Sequence, residues 1–162
     1  MYIRKATVDD MDTISRIETL TFPAPEAASA ETFLYRLHNF PEYFFAALSD
    51  DGKITAFLSG RPVSTNKNSG ITDEMYENNE FPSGDTFALL SVNTLPEFQK
   101  NGYASALIKH AADNAKKLKL KRIILACKEE KLSFYSKFGF TLMGLSCSNH
   151  GGAVWYDMYM DL

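Results

Sequence analysis

The segment from Thr86 to Cys127 restricts the fold more than any other. TFALLSVNT is apolar almost throughout, as expected of a strand buried on both faces. A polar loop, LPEFQKNG, follows. Then Ala104, Leu107, Ile108, Ala111, Ala115 and Leu118 recur at helical spacing, with Lys109, Asp113, Lys116 and Lys117 opposite them. KRIILAC returns as a second apolar strand. Two such strands joined through a helix form a βαβ crossover, so they run parallel.

The flanks read differently. MYIRKAT is a strand, and Thr7-x-x-Asp10 opens a helix that carries Ile14 and Ile17 on one face and stops near Phe22, ahead of Pro23 and Pro25. Ser29 caps a second helix with Phe33, Leu34 and Leu37 aligned. EYFFAALS and ITAFLSGRPV form a hairpin around Asp50-Asp51-Gly52-Lys53. After the crossover, KEEKLSFYSKFGF is a short helix ended by Gly139, and TLMGLSCS and AVWYDMYM close the chain as two strands around the Asn149-His150-Gly151-Gly152 turn. The expected architecture is a single α/β (α+β) domain over residues 1–162, with a mixed, mostly antiparallel sheet of about seven strands and about four helices on its two faces.

Ser64 to Asp85 stands apart: Asp73, Glu74, Glu77, Glu80 and Asp85 face a single base, Lys67. A long acidic loop in a compact domain is either a solvated excursion, with a short helix near Asp73–Asn78, or a substrate-facing lid. Both readings stay open.

Charge and cysteine usage narrow the partners. The net charge of −3 offers no concentrated basic surface for a nucleic-acid backbone. Cys127 and Cys147 form no C-x-x-C pair, so neither a disulfide scaffold nor a metal site is expected. The N-terminus has no apolar signal core and no run reaches the length of a membrane span, so a cytoplasmic protein without a membrane partner is expected.

The loop before the crossover helix carries the chemistry. Gly102 at the helix mouth, with Ala104 and Ser105 just inside, leaves the first-turn N–H groups open, and Lys100 adds a positive charge. That is either an ordinary glycine-bearing helix start or a cradle for a phosphate. Neither the G-x-x-x-x-G-K-[ST] nor the G-x-G-x-x-G pattern is present.

Gln99-Lys100-Asn101-Gly102-Tyr103-Ala104 resembles the Q/R-x-x-G-x-G/A signature of GNAT-superfamily N-acetyltransferases, and Phe134-Tyr135-Ser136-Lys137-Phe138-Gly139-Phe140 resembles a second motif of that family. A finer resemblance, to the arylalkylamine (serotonin-type) branch, rests on Ile17-Glu18, on Phe22-Pro23-Ala24-Pro25-Glu26-Ala27-Ala28, on Phe40-Pro41-Glu42-Tyr43-Phe44 and on Cys127 eight residues before Tyr135. The resemblance implies an acetyl-CoA-dependent N-acetyltransferase working by direct attack in a ternary complex, with the fourth and fifth strands splayed around the pantetheine arm. It places the cofactor on Val92, Asn93 and Thr94 and on Gln99, Lys100, Asn101, Gly102, Tyr103, Ala104 and Ser105.

It also implies roles for individual side chains. Tyr135 faces the coenzyme sulfur as proton donor, against the plainer reading of a core aromatic. The two histidines of vertebrate-type members correspond to Ala88 and Leu90, so that relay is absent, and His38, His110 and His150 are not placed to replace it. Glu26, beside Phe22 and the prolines that would raise its pKa, is the first choice of base, and Glu18 the second. The expected acceptor is a small primary amine, an arylalkylamine or polyamine, drawn by aromatic faces and the acidic loop. A protein or peptide amine and a non-catalytic acyl-CoA sensor are the alternatives. The chain is expected to be a monomer or homodimer.

Overall fold

The computed structural model describes Met1–Leu162. Seven strands form one sheet: β1 (Tyr2–Lys5), β2 (Phe44–Leu48), β3 (Ile54–Val63), β4 (Thr86–Thr94), β5 (Arg122–Cys127), β6 (Thr141–Leu145) and β7 (Tyr156–Asp161), in the order β1-β2-β3-β4-β5-β7-β6. Four helices accompany them: α1 (Met11–Thr21), α2 (Ala30–Asn39), α3 (Tyr103–Lys117) and α4 (Leu132–Ser136). All neighbouring strands run antiparallel except β4 and β5, the pair joined through α3.

Local chemistry sets the helix ends. The Asp10 carboxylate accepts the Thr7 N–H at 2.8 Å and holds Arg4 at 2.6 Å, which fixes the entry to α1. Ser29 Oγ accepts the Thr32 N–H at 3.1 Å and caps α2. The α3 core face is Leu107, Ile108, Ala111 and Ala115, packed with Phe45, Leu58, Phe87 and Leu125. Leu118 is not on that face but 38% exposed, because α3 ends at Lys117 and Lys119 turns left-handed (φ 58°), leaving Leu120 to pack on the core instead. On the other face of the sheet Ile14, Ile17, Phe33 and Leu37 of α1 and α2 cover Phe44 and Phe57.

Two departures shape the site. Parallel pairing of β4 and β5 covers only Thr86–Ala88 with Arg122–Ile124, after which the strands part. Opposite that point β4 carries one extra residue, Leu90, between the Ser59–Ser91 and Gly60–Leu89 pairs. Gly60 allows the close approach there, since a Cβ would fall 2.1 Å from the Ala88 carbonyl oxygen.

The final strand pair is not closed by a tight turn. Residues 146–155 form a longer loop with left-handed Gly151 and Gly152 (φ 63° and 74°), closed at its base by the Ser146 N–H on the Trp155 carbonyl at 2.9 Å and inside by the Trp155 indole on the His150 carbonyl at 2.9 Å. The acidic segment is ordered too. Ile71 and Met75 are buried, and Asp73–Tyr76 forms a single 3-10 turn. Arg61, on β3, holds it: Nη2 donates to the Asn79 carbonyl at 2.8 Å, Nη1 to the Glu77 carbonyl at 3.1 Å, and the guanidinium lies 4.6 Å over Phe40. No helix is long and apolar enough to cross a membrane.

Candidate active site

The parting of β4 and β5 opens a cavity of about 1120 Å³. One wall is β4 from Leu89 to Thr94, including the anticipated Val92, Asn93 and Thr94. Their side chains alternate. Val92 packs toward the α3 core, whereas buried Ser91 and Asn93 bond to groups from α2 and α1.

At one end lies the mouth of α3, to which Gln99, Lys100, Gly102, Tyr103, Ala104 and Ser105 contribute. Asn101 does not line the cavity; its side-chain amide donates back to the Gln99 carbonyl at 3.3 Å and stiffens the turn. Lys100 and Gly102 are both left-handed (φ 63° and 85°), which bends the main chain around the helix start. The Ala106 N–H donates to the Gly102 carbonyl at 2.9 Å, and the amides of Tyr103, Ala104 and Ser105 precede this first donor of the helix ladder. A Cβ on Gly102 would meet nothing within 4 Å, so the space ahead of those amides is open. Amides, dipole and Lys100 together suit an anionic diphosphate.

Tyr135, on α4, is buried in the middle of the cavity, edge-on to Phe134 (5.1 Å) and Phe140 (5.9 Å). Burial pushes its phenol well above the ordinary value of about 10, so it stays protonated and able to donate. The neighbouring Cys127 thiol is pushed up to about 11, first by burial and then by Glu130 and Asp157. It is a neutral thiol at physiological pH and a poor nucleophile.

The two candidate bases differ sharply. Glu18 is 2% exposed; it accepts the Ala28 N–H at 3.0 Å and the Asn93 side-chain amide, and burial raises its pKa against the opposing pull of those bonds and of Arg36. Glu26 is also buried, but not in the apolar setting expected from Phe22 and the prolines. Lys128 Nζ straddles its carboxylate at 2.8 and 2.9 Å.

Several residues of the site carried no signal in the sequence. His150 does sit on the cavity wall, unlike exposed His38 or His110, which lies edge-on to Phe45. Its Nε2 lies 2.8 Å from the Glu26 carbonyl, which accepts only, so that nitrogen carries the proton. Its ring stacks on Tyr76 at 4.3 Å. Tyr76 and Asp73 belong to the acidic segment, and Asp73 accepts the Ser148 hydroxyl at 2.6 Å. A Cβ on Gly151 would lie 2.5 Å from Glu26 Cγ. The acidic segment, the 146–155 loop and the Glu26 turn thus meet over one end of the cavity. Arg36, Lys128, Lys131, Glu77 and Glu130 add further charge to the lining.

A parted parallel pair, a helix mouth open to anions and a protonated tyrosine between them suit an acyl-coenzyme A in shape and charge. The profile of the Acetyltransferase (GNAT) family matches residues 11–140, and the chain belongs to that family. Among solved structures it is similar to the GphF GNAT-like decarboxylase in complex with isobutyryl-CoA (TM-score 0.85, 18% identity, 99% of each chain covered). It is also similar to the loading GNATL domain of CurA from Lyngbya majuscula (TM-score 0.83, 16% identity, 99% of this chain and 96% of that one). A third is the ribosomal-protein-S18-alanine N-acetyltransferase from Escherichia coli (TM-score 0.73, 17% identity, 99% of this chain and 92% of that one). No curated protein matches the sequence significantly. These likenesses establish the fold, with its seven-stranded mixed sheet, four helices and splayed β4–β5 pair.

Proposed function

We propose that this single domain is an acetyl-CoA-dependent N-acetyltransferase for a small primary amine, acting by direct transfer within a ternary complex. The amides of Tyr103, Ala104 and Ser105, with Lys100, would hold the pyrophosphate, and β4 around Val92–Thr94 would pair with the pantetheine arm between the parted strands. Tyr135 donates a proton to the departing thiolate. Glu18 takes the proton from the amine, directly or through water, and is preferred to Glu26 because Lys128 already neutralises the latter. The neutral thiol of Cys127 favours direct attack over an acyl-enzyme.

The observation that carries the reading of a small acceptor is the closure of the acceptor end, where Tyr76, His150 and Glu26 meet at 4.3 and 2.8 Å. A peptide amine would need an open groove there. The resemblance of the FPAPEAA segment to the arylalkylamine-type branch supports the same reading, since its Glu26 and Ala28 both line the cavity.

The test is coenzyme release over a panel of amines and N-terminal peptides, alongside thermal unfolding with acetyl-CoA. Acetyl-CoA should raise the melting temperature with concentration, and small amines should release CoA. Stabilisation without release from any acceptor would mark a non-catalytic acyl-CoA sensor; release from peptides alone would move the substrate class to proteins.

A further inference from the structure

Arg36 is the buried group to which acetyl transfer gives no task. It is 3% exposed, on the inner side of α2, and lines the cavity. Nη1 donates to Ser59 Oγ and to Ser91 Oγ, each at 3.1 Å; the remaining guanidinium N–H groups meet no acceptor in the chain. Other sheltered cations are matched. Arg4 lies on Asp10, Arg122 on Asp161 and Lys128 on Glu26, and Arg61, outside the cavity, turns its two terminal nitrogens to the carbonyls of the acidic segment, leaving only its Nε without a partner. Arg36 forms no ion pair. Glu18 is near enough to act on it electrostatically but forms no hydrogen bond with it; each of its oxygens accepts one bond, from Ala28 or Asn93, and keeps a further lone pair for a ligand. The spare donors of Arg36 are not sealed in the core but open on the cavity, where a guanidinium sheltered from bulk water offers a counter-charge site to an anionic group.

We propose that Arg36 recognises a carboxylate on the acyl acceptor, so that the substrate is an α-amino acid or similar zwitterion with its amino group at Glu18. The inference rests on the acetyl-transfer reading above and narrows its substrate class. Spacing supports it. Arg36 is anchored at Ser91 and Glu18 at Asn93, two residues apart on one face of β4, so the two anchor positions stand about 7 Å apart along the strand. Both groups therefore face the same part of the cavity, where Glu18 and Arg36 can meet the amino group and the carboxylate of one α-amino acid together. Charge supports it as well, since one buried acid beside one buried base complements a zwitterion. A plain amine or a polyamine would leave Arg36 unmatched next to a further cation.

The experiment compares amines with their carboxylated counterparts, phenethylamine with phenylalanine and putrescine with ornithine, by kcat/KM at saturating acetyl-CoA. The carboxylated member should be preferred by about tenfold or more, the worth of one charge-assisted contact. Arg36→Gln should bring the ratio close to one, and Arg36→Lys should keep part of it. The proposal is overturned by a wild-type protein that uses the plain amine equally well, or by an Arg36→Gln protein that loses both members by the same factor. Succinyl-CoA is the control for a carboxylate on the donor: a larger loss of its affinity than of acetyl-CoA's in Arg36→Gln would move the carboxylate to the acyl group and overturn the acceptor reading. If no member of either pair is acetylated, the acetyl-transfer reading fails. Calorimetric titration of the CoA-saturated protein then decides Arg36 separately: selective, Arg36-dependent binding of the carboxylated members upholds the site, and equal binding of both overturns it.

Discussion

Asn93 on β4 donates its side-chain amide to the Glu18 carboxylate on α1, tying a helix from one face of the sheet to the strand that has parted from β5. This bond fixes the orientation of a deeply buried cavity carboxylate that, unlike Glu26, has no cation on it. Burial raises the Glu18 pKa, and only the ionised form can take a proton. Wild-type kcat/KM should therefore fall as pH drops through that raised value. Glu18→Gln should lower kcat/KM by about 100-fold and abolish this acid limb. A pH–rate profile decides it; an intact limb in the variant would place the base elsewhere.

Glu26 answers to a different expectation. Its carboxylate is held by Lys128 and its carbonyl by His150, so it joins the Glu26 turn to the residue that follows β5 and to the 146–155 loop. Glu26→Gln should retain the acid limb while raising KM for the acceptor several-fold, because Lys128 loses its counter-charge on the cavity wall. Loss of the limb in this variant, with Glu18 unchanged, would reverse the two roles.

The contrast shows where the sequence was informative. Periodicity and turn chemistry were enough for the βαβ unit, the Ser29 cap and the glycine at the mouth of α3, since each depends on neighbours a few residues away. Leu118 was misplaced because the end of α3 is decided by Lys119 turning left-handed, which no helical repeat encodes. The site divided along the same line. Gln99–Ser105 and Tyr135 lie in contiguous motifs. Arg36, Tyr76, Lys128 and His150 reach the cavity from four separate elements, and only the packed sheet brings them together. His150 in particular reads as a turn residue until the 146–155 loop is seen to lean on Glu26.

Tyr135 should be separable into ring and hydroxyl. Phe134 and Phe140 pack on the ring, so Tyr135→Phe should fold with a melting temperature close to that of the wild type. Acetyl-CoA affinity should also be retained, while kcat falls by about 100-fold through loss of the proton to the leaving sulfur. Single-turnover kinetics with a matched equilibrium titration measures both. An unchanged kcat removes Tyr135 from the chemistry.

Gly102 offers a similar separation of fold from binding. Its φ of 85° costs a non-glycine residue about 1–2 kcal/mol, yet nothing lies within 4 Å of where a Cβ would go. Gly102→Ala should therefore lose only that much stability, whereas Gly102→Glu should also place a negative charge in the open space before the Tyr103–Ser105 amides. The expected result is a loss of acetyl-CoA affinity of at least about 100-fold for Gly102→Glu, far beyond its loss of stability. Equal affinity for acetyl-CoA in Gly102→Glu and wild type would mean that the diphosphate does not bind at this helix mouth.

Arg61 tests whether the acidic segment belongs to the site or merely covers it. Its guanidinium fills the Glu77 and Asn79 carbonyls and stacks on Phe40, so Arg61→Met leaves those acceptors without donors at a cost of about 1–3 kcal/mol. The buried anchors Ile71 and Met75 remain, so the variant should still fold. Residues 64–85 should then exchange their amide hydrogens faster while the β4 and β5 amides stay protected. Because Tyr76 meets His150 only when this segment is held in place, acceptor KM should rise several-fold with acetyl-CoA affinity unchanged. Hydrogen exchange and acceptor kinetics on the same protein are the measurement. Faster exchange with an unaltered acceptor KM would show that the segment shields the cavity without forming part of it.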